Sequence, residues 1–302
     1  MIDWRVKAGA HAVLSAMPGG NRLNYTFQRR VSRSLPAPDA KLREYVTCAR
    51  DYLDAFERLG DRPLGEATFF EFGAGWHLGV AFSLAALGVT KQILVDIRPL
   101  VRRELLAHTV DRLRAFAPEV DLQSPPAPFP AEGDAVVALQ AYGIDYRAPA
   151  DARDTRLPEG SIDSITSTST LEHIPVDDLP RILGECRRIL RPGGVFSAWI
   201  DYHDHYSTAG GPTGTFNFLH YTERRWQTLY SSALHYQNRL RHDDHLLALE
   251  EAGFEVIETR EIGPTAKDLD DLAKLDLDAP IAGRPLDRVG IRSALIVARR
   301  RG

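Results

Sequence analysis

The chain has 302 residues, 44% hydrophobic and 26% charged, which fits one large globular domain with appendages or two small domains and excludes a disordered chain. Its formal net charge of −4 argues against nucleic-acid binding by bulk electrostatics. Two cysteines, Cys48 and Cys186, lack CxxC or CxxH spacing, which excludes a disulfide framework and a cysteine zinc cluster and fits a reducing, cytoplasmic setting.

No apolar run reaches the roughly 18 residues of a membrane span. The opening MIDWRVKAGAHAVL carries Asp3 and no long apolar core, so a signal peptide is not expected. The charge is uneven. The first fifty residues hold Arg5, Lys7, Arg22, Arg29, Arg30, Arg33, Lys41, Arg43 and Arg50 against Asp3, Asp39 and Glu44.

Residues 3–17 have helical apolar spacing that ends at PGG, and helical segments follow at about 22–34 and 39–59. Residues 1–62 thus read as an N-terminal helical cap packed on a core. A basic lid, or a peripheral contact with an anionic membrane surface, is the alternative.

From residue 63 to 302 the pattern becomes alternating strand and helix. ATFFEFG is a strand and VAFSLAALG a helix; QILVDI is a strand and LVRRELLAHTVDRLRAF a helix. The Pro-rich SPPAPFPAEG is a loop, AVVALQAYG a helix and IDYRAP a weak third strand. SIDSITSTST is a fourth strand, VDDLPRILGECRRIL a helix that stops at RPGG, and GVFSAWID (194–201) a fifth strand. AGFEVIETR and IRSALIVARR are two more strands around the acidic helical stretch KDLDDLAKLDLD. Such alternation predicts an α/β, Rossmann-like, mostly parallel sheet of seven strands with helices on both faces. It also carries an insert after the fifth strand. Ligands of such sheets bind at the carboxyl ends of the strands.

Chemistry concentrates first in FFEFGAGWHLGVAF, residues 69–82. Gly73 and Gly75 permit a sharp turn and close approach of a ligand. Gly79 falls one residue late for a dinucleotide GxGxxG, and Glu71 would repel a pyrophosphate but attract an ammonium. Asp96 ends the next strand, where an acid accepts bonds from ribose hydroxyls in several nucleotide-cofactor families. Downstream, D151-A-R-D-T-R-L-P-E-G-S-I-D163 sets an acid and a small residue at a strand end, then a Leu-Pro turn, then an acid entering the next strand.

In this the chain resembles the class I S-adenosylmethionine-dependent methyltransferases, in particular the small-molecule branch that includes quinone-ring methyltransferases. That family reads D/E-x-G-x-G-x-G, hydrophobic-D, D-A-x-x-L-P-x-x-D-x-S-F-D, a Leu-Glu-His-like strand end and L-x-P-G-G. The matches are E71-F-G73-A-G75, LVD96, D151-A152 through S161-I-D163, L171-E172-H173 and L190-R-P-G-G194. They cover about residues 66–202.

The resemblance implies S-adenosyl-L-methionine as cofactor and S-adenosyl-L-homocysteine as product. Glu71, Gly73 and Gly75 would then face the methionine part, Asp96 the ribose, and Asp151 and the Ala152 amide the adenine. Ser167 and Thr168 would lie beside the methionine. Two positions depart from the pattern. His77 replaces the third glycine, so its side chain either points away or touches the cofactor; Ile162 replaces an aromatic before Asp163.

Methyl transfer requires an aligned acceptor and, for oxygen, removal of its proton. His173 ends the fourth strand, and D201-Y-H203-D-H205-Y follows the fifth on the same rim. Asp201, His203, His205 and His173 are therefore the candidate catalytic residues. A divalent metal on Asp201, His203, Asp204 and His205 is a secondary reading of the cluster. In the insert, residues 203–245, Tyr221, Trp226 and Tyr236 offer flat apolar walls, and Asn238, Arg239 and Arg241 polar anchors for a small acceptor. Internal packing of these aromatics is the competing reading. This block is similar to a group of bacterial methyltransferases of unassigned substrate.

The expected activity is methyl transfer to a small molecule, at a hydroxyl of a sugar or secondary metabolite. Alternatives are acceptors at N, S or C, RNA or protein acceptors, a silent cofactor-binding protein, and, from another class, a nicotinamide-dependent oxidoreductase.

Overall fold

The computed structural model describes residues 25, 26, 28–32, 34–122, 124–207, 214–232 and 236–301. The expected helix at 3–17 lies outside the described residues, as do the start of the 22–34 segment and parts of the 203–245 insert. Of the former, Gln28–Ser32 forms one short π-type turn.

Seven strands form one sheet: β1 Phe69–Phe72, β2 Gln92–Val95, β3 Ile144–Arg147, β4 Ile162–Thr168, β5 Leu190–Asp201, β6 Phe254–Ile262 and β7 Ser293–Arg300. Their order is β3-β2-β1-β4-β5-β7-β6. The first five pair in parallel, and β7 runs antiparallel to both β5 and β6. β1 is buried on both faces, as the continuous apolar FFEF run requires. Chain direction across the sheet reverses between β1 and β4. The carboxyl ends of those two strands therefore frame the crevice where open α/β sheets bind ligands.

Helices α1 (Asp39–Leu59), α2 (Gly79–Ala86) and α3 (Arg103–Phe116) lie toward one side of the sheet. In α1 the buried Leu42, Val46, Ala49, Tyr52, Ala55 and Phe56 fall at three- and four-residue spacing, one stripe of an amphipathic helix. That stripe packs on Phe69, Val80, Leu84, Val195 and Val297, so α1 completes the core. A Cβ at Gly79 would collide with the Tyr45 ring. Glycine there lets α1 and α2 come close, which accounts for its offset from the Gly73–Gly75 pair. Helix α5 (Leu179–Ile189) covers the opposite face, after the short α4 (Ala135–Leu139).

The RPGG stretch does not simply end a helix. Ile162 pairs with Leu190 while Ser164 pairs with Val195, so residues 191–194 bulge out of a ladder that already began at Leu190. β5 therefore starts four residues before the expected 194. Asp163, at this end of the sheet, receives the Thr68 amide at 2.8 Å and pairs with Arg191 Nε at 2.6 Å. The second acid of the DA…LP…SID element thus ties β1, β4 and β5 together far from the crevice.

After β5 come α6 (Glu223–Leu229) and α7 (His242–Glu251), and α8 (Ala266–Leu272) and α9 (Leu286–Val289) follow β6. Trp226 of α6 centres a separate apolar cluster with Tyr206, Phe218, Tyr221, Leu272 and Ile281. Among the described residues no helix is long and apolar enough to cross a membrane.

Candidate active site

The turn leaving β1 borders a cavity of about 240 Å³, lined by Glu71, Gly73 through Val80, Thr168 and Ser169, with Tyr45 and Leu35 closing it from the N-terminal segment. Gly73 has φ +75°, and a Cβ there would run into the Thr170 side chain, so the loops after β1 and β4 touch only because this residue is glycine. The Gly75 amide donates to Asp96 Oδ2 at 2.9 Å, and the Arg98 amide donates to Oδ1 at 2.9 Å. Asp96, 7% exposed, thereby locks the glycine turn to the end of β2.

Glu71 is buried, and no hydrogen bond or ion pair to its carboxyl forms among the described residues. Burial, then the nearby Asp96 charge, pushes its pKa up to about 8. A carboxyl in that state fits an incoming ammonium. His77 does not point away: it is buried and lines the same cavity. Burial pulls its pKa down to about 4, and its Nδ1 has no partner.

Thr168 lines the cavity; Ser167 does not, because β4 turns its hydroxyl into the buried sheet. Tyr52 of α1 holds this strand end, bonding the Ser167 carbonyl and the Thr168 hydroxyl at 2.8 Å each. Asp151 is clamped by Arg153, which donates to both its oxygens and bridges to Asp178. Those bonds from Arg153 lower the Asp151 pKa. The Ala150 amide donates to the Asp96 carbonyl at 2.9 Å, so the 150–152 segment sits beside the acid at the end of β2.

On the rim, Asp201 accepts the His203 amide at 2.9 Å and also bonds His203 Nδ1, while His205 Nε2 lies 3.6 Å from its other oxygen. Burial would raise the Asp201 carboxyl, but the two imidazoles more than offset it and hold it well below the carboxylate range. The His203 ring is occupied on both sides, since Arg292 Nε donates to Nε2 at 3.2 Å. Asp204 turns inward to cap the Tyr206 amide at 2.8 Å, which removes it from the expected rim set. The His173 and His205 rings stand 4.9 Å apart. His173, His205 and Asp201 are therefore brought together; His203 supports Asp201.

The expected acceptor wall is largely interior. Trp226 is 0% exposed and its indole N–H donates to the Gln237 carbonyl at 2.8 Å. Tyr221 is buried against it. Asn238 spends its amide on the Leu171 and Ile174 carbonyls, bracing the turn that carries His173. Arg241 is buried among the carbonyls of Tyr202, Val289 and Ile291. Outside α6 and the short Asn217–His220 turn, these side chains supply packing and hydrogen bonds that fix the described part of this segment. Tyr236 and Arg239 instead border a second cavity of about 580 Å³, together with Val176, Glu223, Gln227 and Arg284. Arg239 itself is engaged by Glu223 and Asp278.

Sequence reasoning missed Tyr45, Tyr52, Trp76, Ser169 and Thr170 at the site. Only Trp76, Ser169 and Thr170 had a local signal, since they sit inside the quoted stretches.

Residues 128–198 match a family model described as a methyltransferase domain. No curated protein matches by sequence. Among solved structures, geranyl diphosphate C-methyltransferase from Streptomyces coelicolor is 13% identical, covering 84% of this chain and 76% of that one at a TM-score of 0.46. An S-adenosylmethionine-dependent methyltransferase from Mesorhizobium loti is 18% identical, covering 84% and 100% at 0.45. The matched segment is similar to a methyltransferase domain over residues 128–198, within a seven-stranded sheet whose β1 and β4 ends carry the glycine–acid cavity.

Proposed function

We propose that the chain is a class I S-adenosylmethionine-dependent methyltransferase that methylates a hydroxyl of a small molecule such as a sugar or secondary metabolite. The observation that carries this reading is the Asp201–His205–His173 cluster at the carboxyl ends of β4 and β5, the edge of the sheet from which Glu71 and Thr168 also line the glycine cavity. An alcohol must lose its proton as it attacks, and the His205 imidazole, set against Asp201 and His173, is the group placed to receive it. S-adenosylmethionine supplies an electrophilic methyl group on a sulfonium.

The chain's own residues then have distinct tasks. Glu71 binds the ammonium, the Gly73–Gly75 backbone and Thr168 seat the methionine part, and Asp96 takes the ribose hydroxyls. Asp151 and the Ala152 amide serve the adenine, and exposed Ile97 next to Asp96 offers it an apolar face. The acceptor lies along Tyr236 and Arg239 in the larger cavity, whose Tyr236 carbonyl holds His173 Nδ1 at 2.6 Å. A flat ring with surrounding carboxylates and guanidinium groups suits a polyhydroxylated molecule. The N-terminal helices act as a cap over the cofactor, as Tyr45 of α1 lining the smaller cavity suggests.

The test is methyl transfer from labelled S-adenosylmethionine to a panel of sugars, phenols, amines and thiols. Label in an alkali-stable ether that Asp201→Asn abolishes supports the reading. Label only on amines or thiols excludes it.

A further inference from the structure

Glu172 is 2% exposed, and neither of its carboxylate oxygens has a hydrogen-bond partner. A buried carboxyl is costly unless a cation or a donor meets it. What surrounds it is a ligand set. Atoms of Glu172, His173 and His205 able to bind an ion all lie within 4.8 Å of one another. A shared ion at about 2.0–2.2 Å from each would hold them roughly 3–4 Å apart, so the side chains need to close by only about an ångström.

The supporting contacts are those of metal-binding imidazoles. His173 Nδ1 is 2.6 Å from the Tyr236 carbonyl oxygen, which can only accept. That nitrogen therefore carries the proton, and Nε2 keeps its lone pair. Metal-bound histidines commonly pin their far N–H to a carbonyl or carboxylate in this way. Asp201, 3.6 Å from His205 Nε2, supplies the carboxylate that backs the second imidazole. The backbone is held too: the Asn238 amide donates to the Glu172 carbonyl at 2.7 Å, and its side chain grips the same turn.

We propose that Glu172, His173 and His205 bind one divalent first-row transition ion. Two imidazoles and one carboxylate suit the manganese-to-zinc series, whereas magnesium and calcium prefer oxygen donors. Three protein ligands leave positions open. The set differs from the DxHDH cluster that the sequence suggested, because His203 is tied to Asp201 and Arg292 and Asp204 caps a turn. On the methyl-transfer reading, such an ion coordinates the acceptor oxygen and favours loss of its proton. That role rests on the reading above; binding of the ion does not.

The full chain, stripped with EDTA, is titrated with Co²⁺ while visible d–d absorption is followed, and S-adenosylhomocysteine binding is measured on the same samples. Expected is one Co²⁺ per chain, with Glu172→Gln and His205→Ala each weakening it by about thirtyfold. Glu172→Gln nearly preserves shape, so it remains informative if His205→Ala does not fold. A stripped wild type that takes up no stoichiometric Co²⁺ overturns the proposal, as does Glu172→Gln binding as tightly as wild type. Co²⁺ binding without S-adenosylhomocysteine binding removes the methyl-transfer reading and keeps the site; the converse keeps the reading and removes the site.

Discussion

The Gly75 amide donates to Asp96 across 2.9 Å, so the turn after β1 and the acid after β2 form one unit rather than two separate motif elements. Asp96→Ala removes the acceptor for the Gly75 and Arg98 amides as well as the carboxylate proposed to take the ribose hydroxyls. Cofactor affinity is expected to fall by roughly 1–3 kcal/mol, measured as S-adenosylhomocysteine binding by calorimetry. Unchanged affinity would remove Asp96 from the cofactor site.

Gly73→Ala forces a side chain into a residue at φ +75° and against Thr170. The left-handed backbone alone costs a non-glycine residue on the order of 1–3 kcal/mol. Chemical denaturation should show at least that loss, and Thr170→Gly in the same chain should recover part of it. No recovery would mean that the loops after β1 and β4 do not depend on this contact.

Glu71 gives a pH signature. Its carboxyl, raised from 4.5 to about 8, keeps a proton in the cofactor-free fold that the unfolded chain releases above about 4.5. Stability from this group is full below 4.5 and is lost as pH rises toward 8. Glu71→Gln should flatten that slope and stabilise the cofactor-free protein at pH 8 by on the order of 1–3 kcal/mol. The same change should weaken S-adenosylhomocysteine binding. Denaturation midpoints at pH 5 and pH 8 decide it, and parallel slopes in both proteins would place the titration elsewhere.

Trp226→Ala should act on folding before it acts on the acceptor. A fully buried indole whose N–H is bonded to Gln237 costs about 3–5 kcal/mol on truncation. A change of KM at unaltered stability would instead restore Trp226 as a contact residue.

The sheet was legible because strand and helix periods are local properties of FFEF, QILV and SALIVARR. The glycine-lined cavity was legible because Glu71, the glycine pair and Asp96 each sit at a strand end. The acceptor side was not. The composition around Trp226 and Asn238 is the same whether those groups line a pocket or fill one, and only the three-dimensional partners decide. Tyr45 and Tyr52 reach the site from a helix more than twenty residues before the first motif residue they meet, which no spacing rule reveals. Glu172 was overlooked beside His173 because burial without a partner is a property of the fold. His77 could point either way in sequence; helix α2 and the glycine turn enclose it.

Calorimetric titration of the purified chain with S-adenosylhomocysteine, and separately with NADH, tests the central claim most directly. Expected is one S-adenosylhomocysteine site per chain with micromolar or tighter affinity, weakened in both Asp96→Ala and Glu71→Gln, and no heat from NADH. Saturable NADH binding with no response to S-adenosylhomocysteine would contradict it.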